Sequence, residues 1–316
     1  MTYSLCVLGC GTMGVAILSG VLDSQAKPIQ VPSPAASCPQ NPSEEDSAMP
    51  PFAVSDTLPG RFITCVSRPE SAKRLKKLWQ DLGQPDVQVR VADNVRSVAE
   101  CDVVLLCCKP QVAKELLSEP GMPEALSNKL VISILAGTTI AQLHSFLPPS
   151  TCVVRAMPNT PCQIREGMTI LSTLPPACPQ IPKTRAILLA LFSPIGRCRF
   201  LDEKHFDACT AISGSGPAFS LVILEAITDG GVMMGLPRSE ALELAAQTMQ
   251  GAARMVLETG LHPASLKDRV TTPAGCTMAG ILALEDGRIR STIARAIQTA
   301  TLHASGLGST SKPASK

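Results

Sequence analysis

Three segments of this 316-residue chain carry residue types and spacings that can do chemistry. The first is GCGTMG at 9–14, a GxGxxG turn that follows the apolar run YSLCVL at 3–8 and opens the helical pattern VAILSGVL at 15–22. Glycines so spaced let the backbone approach a pyrophosphate, and amides at the following helix N-terminus hold its charge. The alternative is a tight turn with no ligand; the place between a strand and a helix favours a dinucleotide. The second segment is CTAISGSGPAF at 209–219, glycines and hydroxyls running straight into a helix. The third is TTPAGCT at 271–277, where Pro273 stands near a helix start and the amides of Ala274, Gly275, Cys276 and Thr277 follow. Such a turn binds a carboxylate without a cation. The plainer alternative is a helix merely capped by Thr272 or Thr277.

The second strand adds a clue to the dinucleotide. Strands of this kind that serve NAD end in Asp or Glu, which accepts from the ribose hydroxyl, whereas this one ends in Ser67 and Arg68. An acid repels a ribose phosphate; a hydroxyl and a guanidinium bind it, so NADPH is expected, with NADH as the alternative. Lys73, Arg74, Lys76 and Lys77 follow, and a solvated helix face accounts for most of them.

These segments need a scaffold. Apolar runs at 3–8, 62–66, 87–91, 101–108 and 129–137, separated by helical stretches such as SAKRLKKLWQDL at 71–82, suit a parallel sheet covered on both faces. Residues 151–159 and 167–173 have the character of further strands. From about residue 202 the chain changes to apolar helices: 217–229 stopped by Gly230 and Gly231, an Ala-rich 239–258 stopped by Gly260, then 276–285 and 288–305. The expected fold is an α/β Rossmann-type dinucleotide-binding domain at 1–201 followed by an all-α dimerisation and substrate-binding domain at 202–305, with a tail at 306–316. Residues 24–60, rich in Pro, Ser, Ala and Gln, are expected to form a flexible insertion. A helix as apolar as 239–258 needs a partner surface, so a homodimer is expected.

Composition removes several function classes. With 28 Lys+Arg against 26 Asp+Glu, the near-neutral balance argues against nucleic acid or an acidic membrane surface as partner. Aromatic residues make up only 3%, too few to build base-stacking platforms. The 13 Cys are odd in number, scattered and without a CxxC pair, and the four His stand apart from them, so neither a disulfide framework nor a metal site is expected. The cysteines are expected to be buried, reduced thiols. No apolar run reaches the ~18 residues of a membrane span, no secretory or import leader is signalled, and the expected compartment is the cytoplasm.

The ordered pieces GCGTMG, CKP at 108–110, MPNTP at 157–161, SGSGPAF at 213–219, DGGVMMGLPR at 229–238 and the whole of 263–285 resemble the pyrroline-5-carboxylate reductases. The resemblance spans nearly all of the chain except the insertion and the tail. It implies hydride transfer from NADPH to the cyclic imine 1-pyrroline-5-carboxylate, giving L-proline in the last step of proline biosynthesis. It implies that Gly9, Cys10, Gly11, Thr12 and Met13 hold the pyrophosphate, that Ser67 and Arg68 meet the ribose phosphate, and that Asn94 lies near the adenosine ribose. Cys107, Cys108, Lys109, Ala136 and Asn159 are implied to line the cofactor groove. Thr272, Gly275, Cys276 and Thr277 would bind the substrate carboxylate, offered across a dimer of interlocked helical domains, and Thr210 would stand near the imine nitrogen. The family includes larger rings of dimers, which allows a decamer. Ala274 stands where the family commonly has a second Gly. Rival expectations are an NADPH enzyme of the same architecture acting on a six-membered imine or a 2-oxo acid, and a non-catalytic NADPH-binding regulator. A keto-acid reducer wants a cationic or imidazole donor that has no counterpart at a matched position, and a regulator has no need of TTPAGCT.

Overall fold

The computed structural model describes residues 2–26, 57–175, 178 and 180–307. Contacts divide the chain into two compact units: one runs to Gly214 and includes the stretch from Thr301, the other is Ser215–Ala300. Most of the expected insertion, residues 27–56, and the tail from 308 lie outside the described residues.

The first unit is built on an eight-stranded sheet. Its strands are β1 (Tyr3–Leu8), β2 (Pro59–Val66), β3 (Gln88–Val91), β4 (Val103–Leu106), β5 (Leu130–Ser133), β6 (Cys152–Met157), β7 (Gly167–Ser172) and β8 (Gly196–Leu201), in the order β3-β2-β1-β4-β5-β6-β7-β8. The first six are mutually parallel, β6 meets β7 antiparallel, and β7 meets β8 parallel. Helices α1 (Thr12–Ala26), α2 (Pro69–Asp81), α3 (Asn94–Ala99), α4 (Pro110–Leu117), α5 (Met122–Leu126), α6 (Ile140–His144) and α7 (Ile181–Phe192) cover its faces, and the short α8 (Phe206–Cys209) follows β8.

The strands are apolar on both faces because both are covered. Leu5, Val7, Val103, Leu105 and Val154 pack with Ile17, Leu18 and Val21 of α1, Leu188 and Leu191 of α7, and Trp79 of α2. The alternating set Cys6, Leu8, Val104, Leu106 and Val153 packs with Leu117, Met122, Leu126 and Leu143 on the other side. In α2 the buried residues are Ala72, Leu75 and Trp79, so the lysines at 73, 76 and 77 stand on a solvated face, as expected.

Several expectations are corrected. The strand β8 was absent from the periodicity because Arg197 and Arg199 alternate outward from a sequence of only six residues, GRCRFL. Cys152 and Cys178 form a disulfide, with Cα atoms 5.5 Å apart, against the expectation that every cysteine is a reduced thiol. The fold brings the two together across 26 residues of sequence, a proximity no local spacing encodes. The continuous stretch Glu203–Met233 is long and apolar enough, by length and composition, to cross a membrane, although no single apolar run within it is.

The second unit contains α9 (Gly216–Met233), α10 (Arg238–Thr259), α11 (Pro263–Asp268), α12 (Cys276–Asp286) and most of α13 (Ile289–Leu307). Gly230 and Gly231 do not stop α9, which runs to Met233 and is turned by Gly235 at φ +94°. At Gly231 the missing side chain matters for packing: a Cβ there would come within 3.1 Å of the Ala241 Cβ, so glycine lets α10 pack close to α9, whereas a Cβ on Gly230 would meet nothing within 4 Å. As expected, α10 ends at Gly260, which takes a left-handed conformation at φ +66°. Leu221, Val222, Ile227, Leu242 and Leu244 are all exposed in the single chain, a spread of apolar surface larger than scattered single residues.

One carboxylate ties β2, β3 and α3 together. Glu100 accepts from Arg61 (2.6 Å), Arg90 (2.7 Å) and Arg96 (2.9 Å). These guanidinium bonds, Arg90 foremost, hold its carboxyl at about 2 against an ordinary 4.5. Because the folded value lies below the unfolded one, this contribution is present above the ordinary value and is lost as pH falls towards the folded one. Calorimetric melting between about pH 5 and about pH 2.5 should show an acid-side loss of stability that Glu100→Gln flattens.

Candidate functional site

In an open parallel sheet ligands bind beyond the carboxyl ends of the strands. The cofactor residues expected from the sequence all follow such ends: 9–13 after β1, Ser67 and Arg68 after β2, Asn94 after β3, Cys107 to Lys109 after β4, Ala136 after β5 and Asn159 after β6. The structure therefore brings them to one edge of the first unit.

The glycine turn there has three distinct jobs. Gly9 adopts φ +79°, and a Cβ on it would strike the Cys108 backbone, 2.8 Å from Cα and 2.9 Å from N. Its amide donates to the Cys65 carbonyl (2.9 Å), locking the turn to the end of β2. Gly11 is exposed, and a Cβ on it would meet nothing within 4 Å, so this face of the turn is open to a ligand. Gly14 is buried, where a Cβ would stand 3.4 Å from both the Cys107 Sγ and the Val7 Cγ1, the close packing of helix on strand. Thr12 begins α1, so its amide and that of Met13 belong to the helix start, where N–H groups have no intrahelical acceptor. These are the features a pyrophosphate needs, and they fit the expected dinucleotide.

The surrounding groups divide by whether their polar atoms are free. Ser67 and Arg68 are exposed, and Arg68 caps α2 through its backbone with Pro69 in the first helical position. Lys109 is exposed at the N-cap of α4, and Ala136 is exposed beyond β5. The Asn94 side chain is engaged inside the protein: its Nδ2 donates to Glu119 (2.8 Å) and its Oδ1 accepts from the Cys65 thiol (3.2 Å). Asn159 is likewise committed, accepting from the Met168 amide (2.8 Å) and donating to the Ser213 carbonyl (2.9 Å). Burial pushes the Cys10 thiol up to about 12, with Arg74 opposing, and the Cys108 thiol up to about 11. Cys107 is pushed well above its ordinary value by the same cause. All three are protonated near neutrality and act as small apolar surface.

Thr210 opens a π-turn, Thr210–Gly214, between α8 and α9. Its hydroxyl has one proton, donated to the Phe206 carbonyl (2.8 Å), and its oxygen also lies 2.9 Å from Met157 Sδ. A hydroxyl so engaged offers lone pairs rather than a proton.

In the second unit the turn before α12 is a helix start with no side-chain cap: the N-cap is Gly275, and neither Thr272 nor Thr277 closes it. The Gly275 amide is not free, contrary to expectation, because it donates to the Thr272 carbonyl (3.0 Å). Cys276 and Thr277 are the first two helical residues, so their amides face outward without intrahelical acceptors. Ala274 sits at φ +59°, the left-handed region that favours glycine and explains why a glycine suits that position. In the preceding α11 Lys267 pairs with Asp268 (2.6 Å), and on α9 Asp229 pairs with Arg238 (2.8 Å).

The carboxyl-edge glycine turn, with a hydroxyl and a guanidinium at the end of β2, defines an NADP-dependent oxidoreductase on a Rossmann-type fold. Comparison with known proteins narrows the class. Residues 203–307 match the family model for pyrroline-5-carboxylate reductase dimerisation, and residues 53–137 match that for NADP oxidoreductase, coenzyme F420-dependent. Over 305 residues the chain is 48% identical to the pyrroline-5-carboxylate reductase of Schizosaccharomyces pombe, covering 96% of this chain and 98% of that one. The chain belongs to the pyrroline-5-carboxylate reductase family. Two solved structures are also similar: the Plasmodium falciparum pyrroline carboxylate reductase with NADP bound (25% identity, TM-score 0.72, 97% of this chain and 98% of that one), and a Coxiella burnetii pyrroline-5-carboxylate reductase (27%, TM-score 0.77, 98% and 100%).

Two substitutions test the edge. Gly9→Ala forces a Cβ into the Cys108 backbone at a left-handed φ and is expected to weaken NADPH binding about 100-fold or more, read by fluorescence titration. Arg68→Asp is expected to weaken NADPH about tenfold to 100-fold while leaving NADH nearly unaffected, because only the phosphorylated ribose meets the lost guanidinium.

Proposed function

We propose that this chain reduces 1-pyrroline-5-carboxylate to L-proline with NADPH, the closing step of proline biosynthesis. The observation that carries this is the turn at Gly275, Cys276 and Thr277: in a member of this family it presents backbone donors to a carboxylate and no side-chain cap competes for them. Bound NADPH supplies the hydride that adds to the imine carbon as the C=N double bond becomes single. Ser67 and Arg68 take the ribose phosphate, and the amides of residues 10–13 take the pyrophosphate. The Cys276 and Thr277 amides hold the substrate carboxylate, with Gly275 and Thr272 shaping the turn.

Thr210 orients the ring nitrogen. Its proton is committed to the Phe206 carbonyl, so its lone pairs accept from the N–H of an imine that arrives protonated. An imine held in that form is already a cationic acceptor, so no side chain has to supply a proton.

The working assembly in this proposal is a homodimer. It is supported by the match of residues 203–307 to a dimerisation family and by the exposed Leu221, Val222, Leu242 and Leu244 of the second unit. Light scattering of the pure chain distinguishes monomer, dimer and the decameric assembly that the family allows. The cytoplasm is the proposed compartment, in keeping with the free thiols of ten described cysteines, Cys276 among them exposed; cell fractionation tests it.

Mixing pure protein with pyrroline-5-carboxylate, with NADPH and NADH in parallel, should consume reduced nicotinamide faster with NADPH and yield proline. Cofactor binding without turnover would sink the assignment. Gly275→Ala sets a Cβ against the Thr272 Oγ1, 2.5 Å away, and is expected to raise KM for the imine about tenfold with NADPH affinity unchanged.

A further inference from the structure

Strand β6 and the residues just beyond it project three side chains to one face at strand period, Arg155, Met157 and Asn159. Each grips a successive point of the segment that carries Thr210. Arg155, with its side chain only 8% exposed, pairs with Glu203 (2.7 Å) and lies over the Phe206 ring, 4.6 Å from its centre. The same Glu203 oxygen accepts from the Ile140 amide (2.8 Å), so the pair also fastens the start of α6. Met157 places its sulfur against the Thr210 hydroxyl. Asn159 donates to the Ser213 carbonyl (2.9 Å), while its oxygen takes the Met168 amide (2.8 Å) from the start of β7.

The gripped segment is irregular. A 3-10 turn (Glu203–His205), the single α-helical turn α8 and the π-turn follow one another without a break. Such a run has no uniform hydrogen-bond ladder to hold its register, and π-turns recur where a side chain must be aimed for function. Here the aim is supplied from outside: the strand holds the segment before, at and after Thr210.

We propose that Arg155 and Asn159 are positioning residues for the reduction, clamping the π-turn so that the Thr210 oxygen stays where it meets the ring nitrogen. This rests on the function proposed above for Thr210. It also gives Asn159 a task other than contact with the cofactor, since its side-chain oxygen and nitrogen are both engaged within the protein.

The test is a double-mutant cycle on the full chain, with kcat, KM for pyrroline-5-carboxylate, NADPH affinity by fluorescence, and thermal melting measured together. Asn159→Asp keeps an acceptor for the Met168 amide and removes the donor to Ser213; Thr210→Val removes the hydroxyl at nearly constant shape. Asn159→Asp is expected to lower kcat about tenfold with NADPH affinity within about twofold of wild type. The double variant is expected to be no slower than the poorer single one, because both changes remove one interaction. Glu203→Gln, which neutralises the Arg155 partner while retaining an acceptor, provides the same cycle should Asn159→Asp not fold, with an expected kcat loss of about threefold. Unchanged kcat in a folded variant overturns the proposal, as do effects that multiply in the double variant. Weakened NADPH binding with saturating kcat preserved would make Asn159 a cofactor contact instead. Wild-type protein that binds NADPH but never turns over removes the functional assignment and the positioning role with it.

Discussion

The approach of Gly9 to the backbone of Cys108 sets the geometry of the nucleotide edge. Strands β1 and β4 are paired in register from Leu5 and Val103 to Leu8 and Leu106, and the chain beyond β1 must turn where β4 also ends. Only a residue with no Cβ and a left-handed φ fits there, which leaves the following backbone exposed at Gly11 and directs α1 away from the edge. The second anchor, the Gly9 amide on the Cys65 carbonyl, ties the turn to β2 and so to Ser67 and Arg68 two and three residues later. The exposed glycine turn and the exposed pair after β2 thus both descend from one strand register.

The thiols around this edge follow from the same packing. Cys10 and Cys107 both lie against the Gly14 backbone, where an added Cβ would stand 3.5 and 3.4 Å from their sulfurs. Burial raises both thiols, so they fill space beside the turn and bring no negative charge close to a pyrophosphate. The second unit works by another principle. Its hydrophobic residues are largely turned outward, and the few it buries, such as Ala241, Ala245 and Leu266, are mostly small. A carboxylate held by amides, as proposed for the turn before α12, needs no buried charge and no desolvated cation.

Much of the scaffold was legible because it depends on local patterns. Periodicity located the first seven strands within a few residues, and the glycine turn together with Ser67 and Arg68 indicated both the fold and the choice of NADPH. Where local patterns conflicted with packing, packing prevailed. Gly230 and Gly231 have the local signature of a helix end, yet α9 continues to Met233, and at Gly231 the missing side chain lets α10 pack close. The strand β8 is hidden by two arginines, since an alternating polar face resembles a loop over six residues.

By itself the sequence determined the first seven strands and the change to helices after them, the glycine turn after β1, the hydroxyl-guanidinium pair after β2 and the amide turn before α12, because each is set by neighbours within a helical turn or a strand. Only the tertiary structure decided which polar atoms remain free for a ligand. Asn159 is engaged by Ser213 and Met168, Asn94 by Glu119, the Thr210 proton by Phe206, and Cys152 is joined to Cys178. Most of these partners are separated by tens of residues, and a hydrogen bond or disulfide between them exists only once the sheet has brought its strand ends together. The Thr210 bond is local, but it depends on the π-turn that β6 holds from the side.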